Sequence, residues 1–95
     1  MNVGNYIRDL RKQKNLTLHQ VSKKTDIDSP LLSKIERGER LPTNQQIINI
    51  SFCFGTSESD LFTMVIAEKI IKEYGENKIT YDALKLAEKK INKQY

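Results

Sequence analysis

Apolar residues recur along the chain at intervals of three and four, which divides it into six helical segments. The first contains Val3, Ile7 and Leu10 and ends before Asn15, a residue type that tolerates the left-handed conformation after a helix. The apolar positions of the later segments are Leu18 and Val21; Leu32 and Ile35; Ile47, Ile50 and Phe54; Leu61, Phe62, Val65, Ile66, Ile70 and Tyr74; and Leu84, Ala87 and Ile91. No alternating run of useful length occurs, so the pattern predicts an all-α protein.

Capping motifs predict where the inner helices begin. Thr17 with Gln20, and Thr43 with Gln46, have the spacing of a capping box, in which the hydroxyl and the amide satisfy each other's backbone groups. The second helix is therefore expected to start at Leu18, and the fourth directly after its threonine.

Other polar residues mark the remaining helix ends. Asp28 is a good N-cap for a third helix, which we expect to stop at Gly38. Ser57 caps a fifth helix. After the polar stretch 76–78, a last amphipathic helix is expected from Thr80.

The two short helices in residues 17–37 have the lengths and the turn of a helix-turn-helix unit. In such a unit the first helix braces the second, and the second lies in the DNA major groove. The apolar positions that can face inward are Val21, Ile27, Leu32 and Ile35. The outer positions are Ser29, Ser33, Lys34 and Arg37, a surface expected to carry donors and positive charge but no acidic residue. Helix-turn-helix units also occur as plain folds, so this pattern favours DNA binding without requiring it.

Composition and charge narrow the class of protein. The chain has 95 residues and a net charge of +4, with +4 in residues 1–40, −2 in 41–75 and +2 in 76–95. This asymmetry favours a polyanionic partner. No apolar run is long enough to span a membrane, no signal peptide is expected, and a single cysteine excludes an internal disulfide. We expect a cytoplasmic, single-domain protein with no membrane association.

Candidate chemistry is sparse. His19 is the single histidine, so a metal site with several imidazoles is excluded, and Cys53 between two phenylalanines is expected to be a half-buried thiol. The carboxylates of the later helices are expected at helix starts or on solvent faces: Glu58, Asp60, Glu68 and Glu73. We therefore predict a protein that is not an enzyme and that uses no cofactor or metal.

The residues from Leu16 to Thr43 resemble the phage-repressor/Cro-type helix-turn-helix family, also called XRE. The most specific part is the segment SKIERGERLPT at 33–43, and the likeness covers about residues 3–62. The resemblance implies a five-helix domain that binds operator DNA as a dimer and regulates transcription. It predicts a DNA-binding domain at 1–62, with its helix-turn-helix at 17–37, and a C-terminal helical extension at 63–95 for dimerisation.

The resemblance also assigns roles by position. It implies base contacts from Ser29, Pro30, Ser33 and Lys34. It implies phosphate contacts from Thr17, His19, Arg37, Arg40, Thr43 and Asn44. It implies a structural ion pair between Arg11 and Glu36. One departure from the family matters: Leu18 stands where the family commonly has a glutamine that bonds phosphate, and His19 and Gln20 are the candidates to replace that anchor. Asp26 stands where a glycine is usual in the turn, and aspartate tolerates turn conformations.

Apolar residues beyond the needs of a five-helix domain predict a further surface. The candidates for dimerisation are Ile48, Phe52, Val65, Ile66, Ile70 and Tyr74. One interpretation is that helix six folds back and covers this surface. The other is that it is a self-complementary dimer patch, and the two are compatible.

The expected function is a homodimeric regulator on a palindromic operator, with half-sites about 34 Å apart. Chains of this length within the resemblance are similar to restriction–modification controller proteins and phage-type repressors, and a controller or autoregulator is preferred. Covering a promoter represses, whereas binding beside RNA polymerase can activate. The alternatives are an antitoxin whose C-terminal helices bind a toxin, and a protein-interaction adaptor.

Overall fold

A computed structural model describes residues 2–93 and residue 95, and these residues form helices, turns and no strand. The helices are α1 (Val3–Gln13), α2 (Leu18–Thr25), α3 (Ser29–Glu36), α4 (Asn44–Phe54), α5 (Glu58–Tyr74) and α6 (Lys78–Ile91). The prediction of an all-α fold is confirmed. Among the described residues, no helix has the length and apolar character to cross a membrane.

Local side-chain caps start the inner helices as predicted. Both capping boxes are present. The backbone amide of Gln20 donates to the Thr17 hydroxyl at 3.1 Å, and the backbone amide of Gln46 donates to the Thr43 hydroxyl at 3.2 Å. The Asp28 carboxylate accepts a hydrogen bond from a backbone amide in the first turn of α3 at 2.8 Å. These caps satisfy amides that the helices themselves leave unpaired.

Side chains from all five helices α1 to α5, and from the turn before α3, form the core. It contains Val3, Ile7, Val21, Ile27, Leu32, Ile35, Ile47, Ile50, Phe54, Leu61 and Val65. Helix α2 packs on α3 and α4, α4 packs on α5, and α1 packs on α3 and α5. We call residues 3–65 the body, because every buried apolar side chain of the described residues lies there.

Gly4 allows α1 and the end of α3 to approach backbone to backbone. A Cβ atom at this position would lie 2.4 Å from the carbonyl oxygen of Ile35 and 2.7 Å from that of Glu36. A side chain here would therefore displace the C-terminal turn of α3. The sequence signal was a glycine inside a helical pattern, which costs about 1 kcal/mol relative to alanine and so implies a packing reason.

Helix α5 continues well past the body. We call residues 66–91 the arm; it comprises the end of α5, the elbow 75–77 and α6. The chain has principal extents of 43 × 26 × 21 Å. Apart from Thr80, every residue of α6 is exposed, so α6 stands beside the body rather than on it.

Two expectations for the last helix are wrong. Helix α6 begins at Lys78 with Asn77 as its N-cap, and not at Thr80. Helix α6 also does not fold back over the exposed apolar residues, since Phe52 on α4 remains 89% exposed. At the elbow, the buried Thr80 hydroxyl donates to the carbonyl oxygen of Tyr74 at 3.1 Å, and the side-chain amide of Asn77 donates to the same oxygen at 2.9 Å. These hydrogen bonds hold the start of α6 against the end of α5.

Glu68 is not on a solvent face, contrary to expectation. It is half-buried, and its Oε1 accepts a hydrogen bond from the backbone amide of Val3 at the start of α1. A carboxylate at a helix N-terminus is favourable because it faces unpaired amides and the positive end of the helix dipole. This contact anchors the middle of α5 to α1.

Candidate nucleic-acid interface

Helix α3 is held on one side by the core and presents its other side to solvent. Leu32 and Ile35 are fully buried, and the turn before the helix is fixed by Asp26, which adopts the left-handed conformation (φ 58°). We call the outward residues the recognition face: Ser29, Pro30, Ser33 and Lys34. Pro30 and Lys34 are exposed, and the two serines are half-buried. The inward and outward sides are as the sequence predicts.

The recognition face carries varied chemistry in a small area. Its two hydroxyls can donate and accept, its ammonium donates, and its proline ring offers an apolar contact. The hydroxyl of Ser33 accepts a hydrogen bond from Nη1 of Arg37, one turn further along. The structure therefore brings a predicted base contact and a predicted phosphate contact together.

Glu39 adds an acidic group that the sequence analysis did not place on this surface. Its carboxylate accepts a hydrogen bond from Nε of Arg37, and both side chains are about half exposed. The expectation of a surface without acidic residues is therefore wrong. The backbone reversal at Gly38 (φ 79°) brings two residues of opposite charge side by side. These two contacts use two of the five N–H donors of Arg37, which leaves three for other acceptors.

Arg11 and Glu36 form an ion pair beneath the surface. Arg11 donates from Nε at 2.8 Å and from Nη2 at 3.0 Å to the two carboxylate oxygens, and from Nη1 to the carbonyl of Leu16 at 2.9 Å. The hydrogen bond to Glu36 raises the pKa of Arg11, against the opposing effect of burial. Such a bidentate pair fixes geometry as well as charge. It ties α1 to the end of α3 and so orients the recognition face.

A recess where α1, α2 and α3 meet contains a residue that the sequence analysis missed. It is lined by Arg8, Arg11, Leu18, Ser33, Glu36 and Arg37. Three guanidinium groups and one carboxylate give it a net positive charge. Leu18 is half-buried there and packs against the core. Arg8 lies one turn before the paired Arg11 on α1, and that spacing is the signal that would have found it.

The remaining predicted phosphate contacts lie at helix starts and in the loop. Thr17, His19, Arg40, Thr43 and Asn44 are all exposed. The capping boxes use the third amides of α2 and α4, which leaves the first amides of both helices unpaired within the helix. Unpaired amides at a helix N-terminus are suited to bind an anion.

The predicted dimerisation residues differ in how far they are buried. Val65 is 2% exposed and packs in the body, so its assignment to an interface is wrong: helical spacing puts it on the side of α5 that faces α1 and α4. Ile66 and Tyr74 are 55% and 66% exposed, and Ile70 is half-buried. Ile48 is half-buried on α4, and its neighbour one turn on, Phe52, is almost fully exposed.

Metal-binding chemistry is not found in the described part of the chain: no group of three or more histidine, cysteine or acidic residues lies close enough to hold an ion. Cys53 is half-buried, and burial raises the pKa of its thiol. A raised pKa lowers the thiolate fraction, so this thiol is a poor nucleophile.

Comparison with known families gives one match. A family model described as helix-turn-helix matches residues 7–61, which is more than half of the chain. The match runs from the middle of α1 to the start of α5 and includes the recognition face, the ion pair and both capping boxes. No curated protein matches the chain.

Proposed function

The chain belongs to the XRE-type helix-turn-helix family and is a DNA-binding transcription regulator, and on that premise we propose that it binds a palindromic operator as a homodimer. We further propose that it is a controller, or autoregulator, or a repressor, and that it acts by occupancy in the cytoplasm. The recognition face carries this proposal, because the core and the Arg11–Glu36 pair hold it rigidly at the surface.

The recognition face supports direct reading of bases. Lys34 can donate to the O6 and N7 atoms of guanine, and Ser29 can serve more than one base. Pro30 offers an apolar contact suited to a thymine methyl group. Two hydroxyls and one ammonium provide few bidentate contacts, so Lys34 is expected to contribute most to discrimination.

Positive charge around the recognition face supports the phosphate grip. Arg8 and Arg37 line the recess beside Leu18, and we propose that they take the place of the glutamine anchor that Leu18 cannot provide. Arg40, with Thr43 and Asn44 at the start of α4, would hold the phosphate on the other side.

The arm supports the homodimer. It exposes apolar side chains that the body does not cover, including Ile66 and Tyr74. A two-fold dimer matches a palindromic site with half-sites one helical turn apart. Control then follows from cellular concentration: a site that covers a promoter represses, and one beside RNA polymerase activates.

Selection of bound sequences from random duplex DNA tests this function. We expect a palindromic consensus, with affinity that falls steeply as salt rises because phosphate contacts release counterions. Lys34→Ala should relax the preference at one base of each half-site by about 1–3 kcal/mol, whereas Lys23→Ala, on the exposed side of α2, should leave the consensus unchanged. Absence of duplex affinity at low salt would contradict the proposal.

The recess has its own test. Arg8→Ala should weaken binding to all sequences about equally and lower the salt dependence by about one counterion. Leu18→Gln in that background should restore part of the lost affinity, since it supplies the glutamine that the family commonly uses. A loss confined to one base position would show that Arg8 reads bases instead.

A second candidate is an antitoxin whose arm binds a toxin. The exposed apolar residues of α6 favour it, since they would suit a protein partner. The neighbouring gene separates the two proposals: a small toxin gene supports the antitoxin, and a methyltransferase–endonuclease pair supports the controller.

A further inference from the structure

We infer that the two arms of the dimer are exchanged, so that α6 of each chain packs across the exposed apolar stripe of α5 in the other. This inference rests on the proposed homodimer and specifies how it is built. It assigns half of the interface to α6, which lies outside the residues that the family model matches.

Helix α5 has two apolar sides. Leu61 and Val65 face the body and are buried. A second stripe at four-residue spacing, Phe62, Ile66, Ile70 and Tyr74, lies next to this buried side. Phe62 packs against the core, whereas Ile66 and Tyr74 are exposed. Its exposed members have no partner in the body.

Helix α6 carries the complementary surface. Ile79, Ala83, Leu84 and Ala87 line a groove together with Ile70 and Tyr74. The two alanines lie one turn apart and leave room for a helix to approach closely. Ile79 is 80% and Leu84 is 42% exposed, so the groove is open to solvent.

A helix such as α6 needs a covering partner. It has 14 residues, a length at which an isolated helix is only marginally stable in water. It contacts its own chain mainly at the elbow, through the Thr80 hydroxyl. Among the described residues, the arm exposes eight large apolar side chains: Ile66, Ile71, Tyr74, Ile79, Tyr81, Leu84, Leu86 and Ile91.

Charge and exposure select which helices meet. The part of α5 that carries the stripe, residues 62–74, has two acidic and two basic residues and no net charge, whereas α6 has four basic and two acidic residues and a net charge of +2. Packing α6 on α6 would oppose like charges, and packing α5 on α5 would leave the exposed apolar residues of α6 uncovered. Packing α5 on α6 of the partner avoids both, and a two-fold axis produces this contact twice.

The exchange can be tested with two full-length variants that each damage one surface. Ile66→Glu disrupts the α5 stripe and Leu84→Glu disrupts the α6 face; both sites are exposed, and glutamate is a good helix former, so the body should stay folded. Sedimentation and size-exclusion chromatography with light scattering give the dimer dissociation constant for each variant and for their mixture. Thermal unfolding checks the body. Lys89→Ala on the polar side of α6, which changes the charge by the same amount as Leu84→Glu, is the control.

Exchange predicts that the mixture forms a heterodimer more tightly than either variant forms a homodimer, because one α5–α6 contact of the two stays intact in the heterodimer. Each variant alone should raise the dissociation constant about a hundredfold, since two contacts per dimer each lose a buried side chain, and Lys89→Ala should change it by no more than a few-fold. A homodimer of Leu84→Glu as tight as that of the wild type would indicate α5 on α5, and one of Ile66→Glu would indicate α6 on α6. Either result overturns the exchange.

These outcomes are distinct from failure of the homodimer itself. A wild-type chain that stays monomeric while it occupies operator DNA would overturn the homodimer and the exchange together. A dimeric wild type with either variant forming an equally tight homodimer overturns the exchange alone.

Discussion

The body and the arm are both helical, but they differ in what stabilises them. In the body, helices from α1 to α5 share one core whose central residues, such as Leu32 and Ile50, are fully buried. In the arm, apolar residues such as Ile79 and Leu84 face solvent. The body therefore has a core of its own, whereas these apolar residues of the arm are left outside it.

The boundary between the two regions gives the largest expected effect. A chain ending after Phe62 loses the buried Val65 and the Glu68 carboxylate that caps α1. We expect its free energy of unfolding to fall by about 4 kcal/mol relative to a chain ending after Tyr74. Urea denaturation of the two truncated chains measures the difference. Equal stability would mean that the body ends before Val65.

A matched pair of leucines tests the contrast directly. Leu32→Ala in the body should lower the free energy of unfolding by about 3 kcal/mol, because it leaves a cavity in a packed core. Leu84→Ala in the arm should cost less than about 0.5 kcal/mol in dilute solution but should weaken the dimer. Thermal unfolding at two protein concentrations separates these effects. A large loss from Leu84→Ala in the monomer would show that the arm belongs to the core.

Breaking a buried ion pair of the body and an exposed ion pair of the arm should give a smaller difference in stability than the two leucines do. Arg11→Ala leaves the Glu36 carboxylate buried without its partner and should cost about 2 kcal/mol. Lys78→Ala breaks an exposed pair with Asp82 on α6 and should cost less than about 0.5 kcal/mol. Chemical denaturation measures both, and Glu36→Gln combined with Arg11→Ala should recover part of the first loss. Equal costs would contradict the difference in burial.

Two helix caps give the smallest expected effect. Thr43→Ala removes the capping box of α4 and should lower the stability of the whole body by about 1 kcal/mol. Asn77→Ala removes the cap of α6 and should reduce helical content without shifting the unfolding midpoint of the body. Circular dichroism measures both quantities. If Asn77→Ala also lowered the unfolding midpoint of the body, α6 would unfold together with the body.

Local features of this fold were predictable because their causes are local. Thr17 and Gln20 lie three residues apart, and no distant contact is needed to make their capping box. The inward positions of α3 follow from helical periodicity in the same way. The roles of Ser29 and Lys34 came from the family resemblance, which identifies positions and not geometry.

Long-range features were not predictable from periodicity. Val3 and Glu68 are 65 residues apart, and the contact between them depends on how α1 packs on α5. Val65 and Ile66 are adjacent in a helix with apolar residues on two sides, so spacing alone could not decide which one enters the core. The start of α6 is set at the elbow, where hydrogen bonds join Tyr74, Asn77 and Thr80.

The elbow at 75–77 has a consequence for how such regulators diversify. The recognition face lies on α3, and most of the proposed pairing surface lies beyond residue 65, joined to the body by a single continuous helix. A mutation on the exposed apolar side of the arm leaves the packing of α3 intact, and a mutation on the recognition face leaves the arm intact. After gene duplication, two copies can therefore stop pairing with each other while they still recognise the same DNA, or acquire different DNA targets while they still pair.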